Sequence, residues 1–560
     1  MKRTLFLFLA LLLLWSTSCA ADAPAEYFNY EYNSDFDGIV ITEYIGPDVL
    51  QDLIIPSKIN GKSVVSIGTS AFAQRTGLVG QLYIPDSVKR IEGSAFIGCS
   101  GFTGALTIGK NVKEIGVSAF KGCSGFTQLK LNHGLKRIGR SAFYNCSGFG
   151  GDLIIPDSVT VICEYAFFNC SGLDGNVTFG KHLKGIGHYA FGQCSKLSGT
   201  IEFPQGLQYI LDGAFFGCSS LQEMVIPASV QFIGDAAFGW GNQAQIITED
   251  NTLELGRAKK KFPNEEEQYG IRQKTEDGFE YVVSDDEVVI VGYQGGVSES
   301  FIIPSSIDGK PVVRIGERAF AERSDITGNL VLPDTLRVIS QSAFDRCSGL
   351  SGKLVIPDHV QIIEDGAFLY CSGFNNELVL GESVLFIGQS AFSECGLIGR
   401  ILLPASLVEI ENNAFSRNDF SSISEEGDGP EFIAQYAFYK CNNMEGTPFD
   451  YPERYIGKPA FESRVVIQKT SNMLRQSIEN PPVSDHSDIG NETDEATPRK
   501  HTAVVATKSN PLTLRQTPGN NGQKILFINK GETVTVLQDG DWPLIEYNGH
   551  QGYVNGQYLK

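Results

Sequence analysis

At 560 residues the chain exceeds what one hydrophobic core supports, since compact domains run to about 50 to 250 residues, so several domains are expected. A hydrophobic fraction of 42% against 20% charged residues places the bulk of it among folding sequences, which confines disorder to local stretches. The formal net charge of -20 repels phosphate backbones and anionic headgroups, whose capture needs clustered Lys and Arg, and so argues against nucleic acid as a partner. In chain order the first element, residues 1–19, reads as an export signal: Lys2 and Arg3, an apolar run from Leu5 to Trp15, then Ser16, Thr17 and Ser18. That run is shorter than the roughly 20 apolar residues that span a bilayer.

Cys19 closes the segment, and its placement resembles the lipobox of bacterial lipoproteins, in which this residue is lipidated and becomes the mature N-terminus. Ser16 departs from the aliphatic residue such motifs prefer, so cleavage near Ala20 or Ala21 without lipid stays open beside it. Membrane contact is expected only through such an anchor.

A repeat then governs most of the chain. The dipeptide Ala-Phe recurs at Phe72, Phe96, Phe120, Phe143, Phe167, Phe191, Phe215 and Phe238, and again from Phe320 through Phe344, Phe368, Phe392, Phe415 and Phe438 to Phe461, always 23 or 24 residues apart. In the unit Leu82 to Gly104 the apolar positions Ile84, Val88, Ile91, Ala95, Cys99 and Phe102 fall three or four apart, as on a helix. Pro85 would cost about 3 kcal/mol inside a helix, and Gly93, Gly98, Gly101 and Gly104 roughly 1 kcal/mol each, so the helix fails. The same residues fit a flattened coil with a strand at Leu82 to Ile84, a stop at Pro85, a second short edge near Val88 to Ile91 and a turn from Ala95 to Cys99. One coil cannot bury its apolar edge, so neighbours must stack at about 4.8 Å, which holds the phenylalanines in a continuous spine.

These units, such as VIPDHVQIIEDGAFLYCSGF from Val355 to Phe374, resemble the BspA-like leucine-rich repeats of bacterial surface proteins. The resemblance implies an exported protein, at the outer membrane or cell surface as a lipoprotein or else secreted, that adheres to host surfaces and matrix proteins. The segment IIPSKINGKSVVSIGTSAF at Ile54 returns as IIPSSIDGKPVVRIGERAF at Ile302, so the series is duplicated with a capping segment for each copy. The expected organisation is a first array with its cap over 27–248, a solvated connecting segment over 249–278, and a second array with its own cap over 279–467.

Ten of the twelve cysteines stand three residues after a repeat phenylalanine: Cys99, Cys123, Cys146, Cys170, Cys194, Cys218, Cys347, Cys371, Cys395 and Cys441. Such regularity points to a buried turn position wanting a small, weakly polar side chain, with disulfides between neighbouring coils or a metal as rivals. No CxxC or His-rich spacing supports a metal site. The seven histidines are scattered, no nucleophile elbow, phosphate loop or zincin helix occurs, and no cofactor or catalysis is expected. Glu364 and Asp365 are read as a solvated coil edge and not as an acid-base couple.

In each Leu-x-Ile strand the flanking residues face the core, so the middle one faces outward. That outer stripe is mixed in the first array (Tyr83, Thr107, Lys130, Ile154, Thr178, Glu202, Val225) but wholly apolar in the second: Val331, Val355, Val379 and Leu402. An apolar stripe of this kind marks a contact site, for a protein partner or for the first solenoid.

Residues 468–509, rich in Asn, Pro, Ser, Thr and acids, are read as a disordered linker. Residues 510–560 alternate short apolar runs with Gly-rich turns, the pattern of a small barrel. Its pieces LTLR (Leu512 to Arg515), KGE (Lys530 to Glu532), DW (Asp541, Trp542), GYV (Gly552 to Val554) and YL (Tyr558, Leu559) resemble the bacterial SH3 domain, with Thr513 and Tyr553 replacing the usual Asn and Trp. The resemblance implies binding of wall peptides or peptidoglycan, and Trp542, Tyr553 and Tyr558 are the residues chosen to line its groove.

The expected fold class is thus mainly β: two leucine-rich-repeat solenoids in tandem plus a small C-terminal SH3-like barrel. The expected function is non-catalytic, with host or envelope proteins as partners and the wall as a second one. A structural organiser tethering membrane to peptidoglycan, and an accessory of a wall-active enzyme, are the other readings.

Overall fold

A computed structural model describes residues 22–441, except 34–36, 240, 250–257, 259–270, 285, 297–299, 426–428 and 435, together with the backbone of Ile467–Lys469 and of strands between 501 and 553. The expectations for residues 1–19, for Phe461 and for most of the linker lie outside the described residues. The chain divides into two compact units, Met1–Ile478 and Glu479–Lys560.

The first unit holds both arrays, and each coil contributes to two parallel sheets. One, here the edge sheet, is built from two-residue strands such as Arg90–Ile91, Glu114–Ile115, Arg137–Ile138, Val161–Ile162 and Tyr209–Ile210. The other holds the Leu-x-Ile strands, such as Leu78–Tyr83, Ala105–Thr107 and Gln128–Lys130. In-register pairing of Arg90 with Glu114 and Ile91 with Ile115 repeats one coil above the next. The edges stay short because the chain turns sharply after them: Ser94 and Gly98 flank Phe96 with φ of 56° and 73°, and other coils repeat these left-handed positions. Among the described residues there is no α-helix.

Antiparallel hairpins cap the start of each edge sheet: Phe28–Asn33 with Gly38–Tyr44, and Phe279–Ser284 with Glu287–Tyr293. The phenylalanine spine is present in both arrays. Ring centroids lie 4.5 to 5.5 Å apart from Phe72 to Phe215 and 4.9 to 5.4 Å apart from Phe320 to Phe438, inside the attractive range for offset pairs.

The connecting segment is not wholly solvated: Ala258 is buried in the first core, and its carbonyl accepts the Phe238 N–H at 2.8 Å, closing the last coil. Gln273–Lys274 pairs with Phe279–Ser284, so the second cap begins inside that segment. At the end of the second array Ile467–Lys469 pairs with the strand Asp419–Glu425, so this sheet runs two residues into the stretch assigned to the linker.

All eleven described cysteines are buried and free, so the disulfide alternative falls away for them. The thiols bond to backbone instead: Cys99 donates to the Phe72 carbonyl at 2.9 Å, Cys170 to Phe143 at 3.2 Å and Cys371 to Phe344 at 2.9 Å. Each bond satisfies an acceptor in a dry interior.

In the second unit the backbone forms a six-stranded antiparallel sheet in the order His501–Val504, Thr533–Gln538, Leu544–Tyr547, His550–Tyr553, Leu512–Arg515, Lys524–Ile528. His501–Val504 belongs to this sheet, so the sheet reaches back into the stretch assigned to the linker.

Candidate functional site

The apolar stripe of the second array faces outward as the strand alternation requires. Val331, Val355 and Val379 are 46%, 45% and 37% exposed, and Leu402 is half-buried. Ile302, 60% exposed, continues the column by one coil toward the cap; it was missed because it lies in the capping segment. Two residues earlier in each strand stands a polar column, Asn329, Lys353, Glu377 and Arg400, in which Lys353 and Glu377 pair at 3.6 Å. The side chains of Trp542, Tyr553 and Tyr558, and Cys19 as a whole, lie outside the described residues.

The first solenoid does not dock on this stripe. It packs on the opposite side, edge sheet to edge sheet, because the outward residues of those short strands are themselves apolar or charged in complementary pairs. Val161, Tyr209 and Leu211 meet Val338, Ile362, Leu385, Phe386 and Val408 in a separate apolar cluster. Contacts run from Arg137 with Glu409 and Glu411, through Tyr209 with Phe386, to Asp212 and Asp235 with Arg314, so the two arrays run in opposite directions across the contact.

Two ionic centres flank the apolar cluster. Arg137, 2% exposed, reaches Glu411 at 2.5 Å, Glu409 at 3.4 Å and Glu114 at 3.3 Å, and its guanidinium lies over the Phe432 ring at 4.1 Å. Next to it Arg140 pairs with Glu164 and with Asp365 at 2.9 Å. In the second centre Arg314 contacts Asp212 at 3.3 Å, Glu364 at 3.6 Å and Asp235 at 3.8 Å. Glu364 and Asp365 are therefore not a solvated coil edge: the first array covers them, and each faces an arginine.

Burial dominates the acid chemistry here. It pushes the Glu409 carboxyl up to about 8, helped by repulsion from Glu411 and opposed by Arg137. Burial likewise raises Glu364 to about 8 against the pull of Arg314, and Glu164 to about 7 against that of Arg140. For Glu411 burial is outweighed by Arg137 and Arg140, which hold it below the ordinary value. Tyr209 donates its hydroxyl to Glu409 at 3.0 Å. Ligand atoms of Cys163, Glu409 and Glu411 converge within 4.8 Å, which no local spacing in the sequence announced. The Arg137 guanidinium already supplies their countercharge, so the trio reads as the heart of an ion-pair centre and not as a metal site.

With the coils, spine and caps established, the repeats themselves decide the family: the BspA type leucine rich repeat region, in six copies, matches residues 44–174, 151–258, 297–418 and 374–478. The chain belongs to the BspA-type leucine-rich repeat family. Beyond the BspA-type repeats, a bacterial SH3 domain matches residues 510–560. Solved structures similar to this BspA-type chain include a leucine rich repeat protein of T. pallidum, 28% identical, with 40% of this chain and 89% of that chain covered and a TM-score of 0.30. Others are a leucine-rich repeat protein of Bacteroides ovatus (23% identical, 80% and 100% covered, TM-score 0.35) and a leucine rich cell surface protein of Faecalibacterium prausnitzii (22%, 79% and 96%, 0.32). No significant match is found among curated proteins.

Proposed function

We propose that this BspA-type protein is a non-catalytic interaction or adhesion protein, exported to the envelope or cell surface or secreted. On this reading it grips host or envelope proteins through the apolar column Ile302, Val331, Val355 and Val379, and its SH3 domain holds wall peptides or peptidoglycan. The observation that carries the reading is that no described residue covers this column, although the arrays pack against each other elsewhere. Contiguous apolar surface beside charged residues fits a protein partner, whose own apolar side chains meet the valines while Lys353, Glu377 and Arg400 set register.

The purified full chain is compared with the double variant Val355→Lys, Val379→Lys for binding to immobilised matrix proteins, with circular dichroism as the check on fold. Two lysines on an outward strand face leave the core untouched, so binding should fall at least about tenfold, the equivalent of 1.4 kcal/mol, with the fold intact. Equal binding by both, or none by the parent, would end the docking reading. In the same preparations, failure of the parent to sediment with purified peptidoglycan would remove the wall-binding half.

A further inference from the structure

We infer that the two arrays form a clasp that is closed in mild acid and loosens as pH rises. The geometry is unbalanced in charge. Among the described residues nine carboxylates (Glu92, Glu114, Glu164, Glu409 and Glu411, Asp365, Asp212, Asp235 and Glu364) share four guanidiniums, those of Arg90, Arg137, Arg140 and Arg314, with His188 beside Glu164 and Asp365. Fully ionised, such an interface holds uncompensated negative charge in a region shielded from water, where like charges repel strongly.

The groups facing Glu409 are Arg137, Cys163 and Tyr209 from the first array and Glu411 from its own. Those facing Glu364 are Arg314, Asp212 and Asp365, and Glu364 also accepts the Gln341 N–H at 2.8 Å. Glu164 faces Arg140, His188, Asp365 and Glu411. A small cavity between the arrays, lined by Arg140, Cys163, Glu164, His188, Asp365 and Glu409 among others, brings these groups together at the contact.

The sign follows from where the protons sit. Each of Glu164, Glu364 and Glu409 holds its proton more tightly when docked than an exposed glutamate does. Docking then takes up protons: it is most favoured below about pH 4.5 and weakens as pH rises through about 7 to 8. Glu411, held low, acts in the opposite sense and only in more acidic solution. The apolar cluster beside the ionic centres is confined to a few side chains from each array, so the ionic balance weighs heavily in the contact.

The test uses two cysteines of the full chain. Cys163 lies in the contact between arrays, whereas Cys170 lies inside a coil, so parting of the arrays bares the first and not the second. The chain is pulsed with a thiol reagent and both sites are read by peptide mass spectrometry. At about pH 9 the parent should label at Cys163 at least about tenfold faster than the variant Glu364→Gln, Glu409→Gln at the same pH, with Cys170 protected in both. Comparing variants at one pH cancels the intrinsic pH dependence of thiol chemistry. If Cys170 of that variant labels already at about pH 6, its coils have not folded, and Glu164→Gln takes its place in the comparison. Equal Cys163 protection in parent and variant at about pH 9, or joint labelling of Cys163 and Cys170 in the parent, would overturn the clasp.

Discussion

The residue three places after each spine ring shows what the repeat asks of a side chain. Cysteine there donates to the carbonyl of the preceding coil's ring residue, and where the second array lacks a cysteine, Asn418 makes the same bond, its Nδ2 reaching the Phe392 carbonyl at 2.7 Å. In the caps an arginine serves: Arg75 donates to the Tyr44 carbonyl at 2.7 Å, and Arg323 to that of Tyr293. Except at Gly241, after the last ring of the first array, where the neighbouring Asn242 reaches the Phe215 carbonyl, a donor is therefore what the position supplies, and a thiol meets it with the least polarity. Burial pushes the Cys99 thiol up to about 12, so these sulfurs are poor nucleophiles in the native fold. Replacing Cys170 by Ala leaves the Phe143 carbonyl without its buried partner and should cost about 1 to 3 kcal/mol, whereas Cys170→Ser, which keeps a donor, should lose less. Urea denaturation of the two variants separates them, and equal losses would reduce the role of the position to volume.

At the scale of the coil, the spine accounts for most of the hydrophobic order. Phe368 stacks on Phe344 at 5.0 Å and on Phe392 at 5.3 Å, so Phe368→Ala removes contacts on both sides and opens a cavity. A loss of about 3 to 5 kcal/mol is expected in thermal or chemical melting, and an unchanged transition would contradict the spine. The coil and its caps were legible because interior positions recur with one period: Ala-Phe, Leu-x-Ile and the cysteines sit in the same environment every time. Ile302 and the opposing edge faces were not. The outward edge residues Arg137, Val161 and Tyr209 follow no period, since each answers residues more than a hundred positions away, and Gly185 between them leaves room for the Tyr209 ring. The available signal was apolar residues such as Val161, Val338 and Phe386 at positions that would face water in a free-standing solenoid. Glu364 and Asp365 were misread for the same reason: a coil edge is solvated only if nothing covers it.

For the molecule as a whole, the contact between arrays is specified by charge as much as by apolar burial. Buried ion pairs add little over a well-packed apolar surface, but removing one partner strands the other. Arg137→Met should therefore destabilise the paired arrays by about 3 kcal/mol near neutrality, where it strands the ionised Glu411, and by less in acid, where Glu411, released from Arg137, takes up a proton. Denaturation of this variant at two pH values checks both parts, and a loss independent of pH would detach Arg137 from the acid centre.

The opposed direction of the arrays also bears on how the chain is assembled. The first coil of the second array, through Arg314, meets the closing coils of the first at Asp212 and Asp235, and later coils meet progressively earlier ones. The contact that closes the shortest loop is thus available first during synthesis, and each further coil adds the next, like a zipper drawn from the bend. Until then the nascent first array carries Val161, Tyr209 and Leu211 bare, and this is the interval in which a helper protein or a wrong neighbour meets them.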